Sequence, residues 1–298
     1  MSGAFGDFSR RLRPEVDAAL ERLLPAAQED PRVLHQAMRY SVFAGGKRVR
    51  PALLVLAGET YGVPRELLLP GAAALEMVHT FSLVHDDLPA LDDDALRRGR
   101  PTVHRQYDEA TAVLVGDALL SLGLQTLMTE PATVAPESRL RAAALVAEAV
   151  GTRGMIGGQM ADLEAENDWP AAPAAALEAI HRRKTGALLT AALRVGGAYG
   201  ALDGGSDSLL TALGRCLGLM FQIGDDVLDV EGDSLTLGKT AGKDESARKL
   251  TYPSLHGLEA SRRMLREART EALDLVARLP ASHDLFGSLV DYLCQRDR

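Results

Sequence analysis

Aromatic residues make up only 4% of this 298-residue chain, with one tryptophan, six phenylalanines and six tyrosines. β-Branched residues are also sparse beside alanine and leucine, so sheet is disfavoured and helix favoured nearly throughout. Cysteine is almost absent. Cys216 and Cys294 fit no metal-ligand spacing and no disulfide framework, which suits a reducing, cytoplasmic setting. Positive charge is not in excess: the net charge of −8 argues against a general nucleic-acid binder. It does not exclude a small anionic substrate, because a local basic cluster can oppose the global sign. No signal peptide is visible, since the stretch Phe8-Ser-Arg-Arg-Leu-Arg-Pro14 is not followed by an apolar run. No segment reads as a membrane span. The nearest, Thr111 to Met128, carries Asp117, Ser121 and Gln125 at four-residue steps, a polar stripe suited to protein or a cavity and not to lipid. It reads as a buried core helix of a soluble protein.

What is present is apolar material, 46% of residues against 25% charged, enough for a large core. Apolar positions recur with helical spacing over roughly 11–24, 31–45, 50–60, 66–87, 107–128, 137–150, 153–165, 174–184, 186–199, 206–229, 251–276 and 281–296. No sustained strand alternation appears. Breaks at Gly45-Gly46, Gly62-Val-Pro64, Pro131, Trp169 to Pro173, Gly204-Gly205 and Pro280 are too short for interdomain linkers. The simplest organisation is one all-α domain over residues 1–298. Its longest loop, Glu231 to Lys249, is rich in Gly, Ser, Asp and Lys, and loops of that length are commonly functional.

Two aspartate clusters stand out against this background: Asp86-Asp87-Leu-Pro-Ala-Leu-Asp92 and Asp225-Asp226-Val-Leu-Asp229. Carboxylates in apolar surroundings are costly to bury unless something positive neutralises them. Asp225, Asp226 and Asp229 project from one helical face. Convergent carboxylates call for a hard divalent cation, and Mg2+ bound by a few of them keeps its other positions for water and phosphate oxygens. Asp86 and Asp92 are six apart, off one face, and Pro89 disfavours more helix. The chain is expected to leave helix after Asp87 and turn so that Asp92 returns toward Asp86. Taken alone, this first cluster is equally an acidic helix end with a turn.

Basic groups flank the clusters. Arg97 and Arg98 follow the first, as charge compensation or as guanidinium forks for a diphosphate. Gly45-Gly46-Lys47-Arg48-Val49-Arg50-Pro51 forms a separate basic loop, where paired glycines let backbone N–H groups approach an anion. It lacks the length and ending of a nucleotide P-loop; by itself it is also an ordinary surface turn. His79 lies seven residues before Asp86 on the same helical face. Lys184-Thr185-Gly186 follows a helix, and Gln222 precedes Asp226 by one turn. Lys239, Lys243, Arg248 and Lys249 occupy the long loop, either solvated or as a lid closing on an anion. Gly154 to Asp162 places small residues on a helix for close packing, with Gln159 and Asp162 beside a cavity.

In this order and combination the motifs resemble the trans-prenyltransferase family, the polyprenyl diphosphate synthases, over most of the chain. The resemblance implies an all-α bundle of roughly 10–13 helices around a central cavity, a homodimer, and Mg2+ (with Mn2+ as a substitute) as cofactor. It implies metal at Asp86, Asp92 and Asp225, with Asp87, Asp226 and Asp229 as direct ligands or supports. Arg97, Lys184, Thr185, Gln222, Lys239 and Lys249 would contact an allylic diphosphate. Gly46, Lys47, Arg50, His79 and Arg98 would hold isopentenyl diphosphate, with Arg296 and Arg298 closing over it. Catalysis would fall to Asp86, Asp87, Asp92, Arg97, Lys184, Asp225 and Lys239.

Side chains four and five positions before Asp86, Ser82 and Phe81, would lie roughly 6–7.5 Å down the cavity wall. A bulky Phe81 there forms a floor, as in bacterial farnesyl diphosphate synthases, and predicts a C15 product. Otherwise Phe81 only packs against a neighbouring helix. The alternatives are a geranylgeranyl diphosphate synthase or a non-catalytic partner subunit. A terpene cyclase would have no use for the second anion loop.

Overall fold

Alanine- and leucine-rich stretches become helices throughout the computed structural model, which describes residues 3–167, 174–200, 202–231 and 251–294. In chain order these are α1 (Gly3–Leu23), α2 (Arg32–Val42), α3 (Val49–Thr60), α4 (Arg65–Asp86), α5 (Val103–Gln106), α6 (Glu109–Thr129), α7 (Pro136–Val150) and α8 (Met155–Asn167). They continue as α9 (Ala174–His181), α10 (Ala187–Ala198), α11 (Gly204–Glu231), α12 (Tyr252–His256), α13 (Leu258–Val276) and α14 (His283–Cys294). α1 begins well before the predicted residue 11 because Phe5 and Phe8 extend the buried stripe of Leu12, Val16 and Leu20. The predicted helix 251–276 is broken at Gly257, whose φ is 80°.

The all-α expectation holds, with one small exception. β1 (Leu96–Arg97) and β2 (Arg100–Pro101) pair as an antiparallel hairpin. Arg98 and Gly99 turn it with φ of 54° and 76°, both left-handed, as a tight hairpin turn demands. Two-residue strands leave no alternation to read in the sequence.

α4 forms the axis of the core and is buried from Leu68 to Val84 on most sides. α6 lies along it, while α3 packs on both α4 and α10. Close approach of α3 and α10 depends on Gly196, where a Cβ would overlap the carbonyl oxygen of Leu54. α10 also contacts α4 and α11, so the two aspartate-bearing helices share a neighbour. One buried apolar cluster runs from Phe5 in α1 to Leu293 in α14.

α6 corrects an expectation. By length and composition α4 and α6 are both apolar enough to cross a membrane, but α4 is mostly buried within the fold. α6 is not the fully buried core helix predicted. Ala112, Val115, Leu119, Gly123 and Leu127 face inward, whereas Val113, Leu114, Asp117, Ser121, Gln125 and Met128 are exposed. The polar stripe is real, and it faces outward together with apolar side chains.

Candidate active site

The end of α4 behaves as its proline requires. After Asp87 the chain turns, with Leu88 N donating to His85 O at 3.0 Å and Leu91 N to Leu88 O at 2.9 Å. Asp92 N then donates to Asp86 O at 2.9 Å, bringing the two aspartates back together as predicted. Asp86 and Asp92 are half-buried, whereas Asp87 is 3% exposed. Asp87 turns inward to Arg97, 2.6 Å away, and Arg97 also reaches Asp94 at 3.4 Å. Burial raises the Asp87 carboxyl to about 6 even though Arg97 pulls the other way. Its place is to hold Arg97.

The hairpin sends its consecutive arginines to different neighbours. Arg97 serves the acidic turn, while the Arg98 guanidinium donates to Gly45 O. Gly46 has a φ of 124°, a conformation that residues with a side chain rarely adopt, and it lies directly beside that guanidinium. Arg50 Nη1 and His79 Nε2 are 3.1 Å apart. Burial, then the neighbouring Arg50, Arg98, Arg97 and Arg48, hold His79 well below the usual imidazole range. The ring is therefore neutral and accepts from Arg50 through Nε2, which leaves its proton on Nδ1. That buried Nδ1 meets no acceptor within the described protein. A donor waiting among arginines suits an anion. Lys47 Nζ donates to Tyr292 Oη at 3.2 Å and lies 5.8 Å from its ring centre.

A third group surrounds the second cluster. α9 runs into α10 through a π-helical turn, Arg182–Gly186, which presents Lys184 and Thr185. α8 approaches closely, since a Cβ on Gly158 would overlap the Lys184 backbone. Lys184 Nζ donates to Asp162 Oδ2 at 2.7 Å. Thr185 Oγ1 donates to Gln222 Oε1 at 3.1 Å, and Gln222 Nε2 donates to Asp226 Oδ1 at 2.8 Å. Asp226 Oδ2 accepts from Tyr252 N at 2.9 Å. Asp226 is 3% exposed with both oxygens engaged, while Asp225 and Asp229 on the same helix are half-buried.

Of the two roles the resemblance allows Asp87 and Asp226, direct ligand or support, their contacts fit the second. Asp87 and Asp226 are turned inward to support Arg97 and Gln222, leaving Asp86, Asp92, Asp225 and Asp229 as the ligand candidates. Among the described residues no three carboxylate, imidazole or thiol groups form a protein-only cage. Hard oxygen donors in ones and twos fit Mg2+ that shares its shell with phosphate oxygens. Phe81 is buried and stands edge-on to His85 with ring centres 5.5 Å apart, and Ser82 Oγ donates to His79 O at 2.8 Å. Lys239, Lys243, Arg248, Lys249, Arg296 and Arg298 lie outside the described residues.

Sequence reasoning missed the Lys184–Asp162 pair, the Tyr252 tether and a buried Arg48–Glu76 ion pair. Lys184 and Asp162 stand out in the sequence separately but not as a pair, and Glu76 stands out as a lone acid in the run Ala72-Ala-Ala-Leu-Glu-Met-Val78.

Many known proteins are similar to this chain in sequence and in fold. The polyprenyl synthetase family profile matches residues 31–283. The chain belongs to the polyprenyl synthetase family. It is a prenyltransferase with the all-α isoprenoid synthase fold. This polyprenyl synthetase is 46% identical over 265 residues to a heterodimeric geranylgeranyl pyrophosphate synthase large subunit 1 of Arabidopsis thaliana, covering 87% of this chain and 70% of the relative. It is 42% identical over 270 residues to a geranylgeranyl pyrophosphate synthase of Capsicum annuum, covering 90% and 73%. Among solved structures, an FPP/GFPP synthase from Zymomonas mobilis superposes with a TM-score of 0.87 at 34% identity, covering 97% of this chain and 98% of that one. A geranyltransferase from Legionella pneumophila gives 0.86 at 31% identity, covering 98% and 97%.

Proposed function

We propose that this prenyltransferase joins isopentenyl diphosphate to allylic diphosphates and releases a C20 product. The relatives named geranylgeranyl pyrophosphate synthases, at 41–46% identity, carry the product length. Phe81 had suggested C15 from the sequence. Its ring is buried and packed edge-on against His85, which favours a packing role over a bare floor. C15 remains the second reading, favoured by the presence of an aromatic at that position and by solved relatives named for farnesyl products at 34% identity.

In this reading the allylic diphosphate lies between the two acidic clusters. Asp86, Asp92 and Asp225, with Asp229 beside them, would hold Mg2+, which would supply charge to neutralise the leaving diphosphate. Arg97, fixed by Asp87, and Lys184, fixed by Asp162, meet the negative charge that develops as the allylic C–O bond breaks. Lys47, Arg50, Arg98 and the Nδ1–H of neutral His79 hold the isopentenyl diphosphate. Its alkene attacks the allylic carbon, and proton loss restores a double bond. No side-chain base is assigned; the released diphosphate accepts the proton. Apolar walls keep water from the cation.

A second copy of the chain would cover the exposed face of α6, where Val113 and Leu114 are 42% and 58% exposed. The large-subunit relative makes a heteromeric assembly the competing arrangement. Both acidic clusters are present here, which favours catalysis without a partner.

Labelled isopentenyl diphosphate incubated with dimethylallyl, geranyl and farnesyl diphosphates in turn, followed by sizing of the dephosphorylated products, tests this. Growth to C20 from every starter is expected. Accumulation that stops at C15, with farnesyl diphosphate refused as starter, would overturn the C20 reading. Phe81→Ala separates the two: it lengthens a C15 product by opening a floor, and leaves a C20 product unchanged.

A further inference from the structure

We infer that Arg48 and Glu76 are a buried positioning pair that sets the geometry of the isopentenyl diphosphate site without touching the substrate. The inference rests on the prenyl-transfer reading. Arg48 lies between Lys47 and Arg50 in the basic loop, yet its side chain turns away into the core, where it is 2% exposed, as is that of Glu76. Its backbone is left-handed, with φ 49° and ψ 40°, a conformation that a residue with a Cβ adopts only when its surroundings impose it.

Those surroundings are specific. The guanidinium donates to Glu76 Oε1 at 2.6 Å in α4, to Val42 O at 2.9 Å at the end of α2, and to Asp17 Oδ1 at 3.0 Å in α1. Three elements therefore grip the loop through one planar fork. Two carboxylates beside the guanidinium cancel most of its charge, so its contribution to an anion is placement. Glu76 precedes His79 by three residues on α4, and His79 is the partner of Arg50. The same turn of helix thus anchors the loop and supplies a group to the site it builds. Lysine cannot reproduce three donors fixed in one plane. Buried ion pairs are weak contributors to stability in general, so a specificity role is the better account of one kept here.

The test measures isopentenyl diphosphate binding by calorimetry, and KM for each substrate separately, in wild type, Arg48→Lys, Asp17→Asn and the double variant Arg48→Met/Glu76→Met. The double variant removes both buried charges together, and circular dichroism checks its fold. In it, isopentenyl diphosphate affinity should fall about 10–100-fold while KM for the allylic substrate stays unchanged. Arg48→Lys should show the same selective loss, and Asp17→Asn, at a partly exposed acid, a smaller one. Unchanged isopentenyl affinity in a folded double variant, full rescue by lysine, or equal losses for both substrates would overturn the inference. Should the double variant fail to fold, Asp17→Asn decides, and wild-type affinity there would overturn it. A wild-type protein that binds no isopentenyl diphosphate would instead refute the functional reading.

Discussion

Asp225 and Asp226 are adjacent, yet one half-faces solvent and the other is sealed against Gln222 and the Tyr252 backbone. Their substitutions should therefore fail differently. Asp225→Asn should leave the melting temperature unchanged and cut turnover by about 100-fold or more, because charge that meets the leaving group is lost. Asp226→Asn puts an amide where two donors need acceptors, and should cost about 1–3 kcal/mol of stability, read by thermal unfolding. The two-apart-from-four division of the aspartates was not legible from spacing, since helical periodicity says which residues share a face and not what covers it. The basic residues and their order were legible because each motif is local in sequence. Asp162, 22 residues from Lys184, and Tyr252, 26 from Asp226, are long-range partners with no local pattern to announce them. His181 offers a further check. Burial holds its imidazole at about 4, from an ordinary 6.5, against the pull of Asp162. The unfolded chain then binds the proton first, so the contribution of His181 to stability is constant above pH 6.5 and falls by roughly 3 kcal/mol as pH drops toward 4, against an opposite contribution from Asp87, and is read as the difference between wild type and a His181 variant. His181→Asn should flatten that slope in denaturant titrations; an unchanged slope would contradict the assignment.

At the scale of elements, α4 and its exit were readable because Pro89 fixes where helix must end, and the return of Asp92 followed from that. α6 was misread because hydropathy reports a burial demand and not which molecule meets it. The hairpin was invisible because its strands are too short for alternation, although it is what separates Arg97 from Arg98. Helix contacts at glycine give a measurable consequence. Gly196→Ala would force α10 away from the Leu54 carbonyl and should destabilise by about 1–3 kcal/mol, with substrate KM values shifting less than the melting temperature. Wild-type stability would mean that α3 and α10 are not in the close contact described.

The whole molecule combines a net charge of −8 with a cluster of basic side chains, so an anion at the proposed site would meet a local field and not the global one. It also leaves the apolar residues of α6 exposed on one face. If a second copy covers them, Leu114→Glu should convert a dimer to a monomer in sedimentation at micromolar concentration; a wild-type chain that sediments as a monomer would contradict that arrangement. The claim on which the functional account depends is that both acidic clusters hold one diphosphate. It is tested most directly by Mg2+-dependent binding of an unreactive allylic thiolodiphosphate to wild type, Asp86→Asn, Asp225→Asn and the double variant. A shared ligand requires each single variant to lose most of the binding and the double to lose little more. Losses that simply add, or a single variant that binds as wild type does, would show that the two clusters do not act on the same diphosphate.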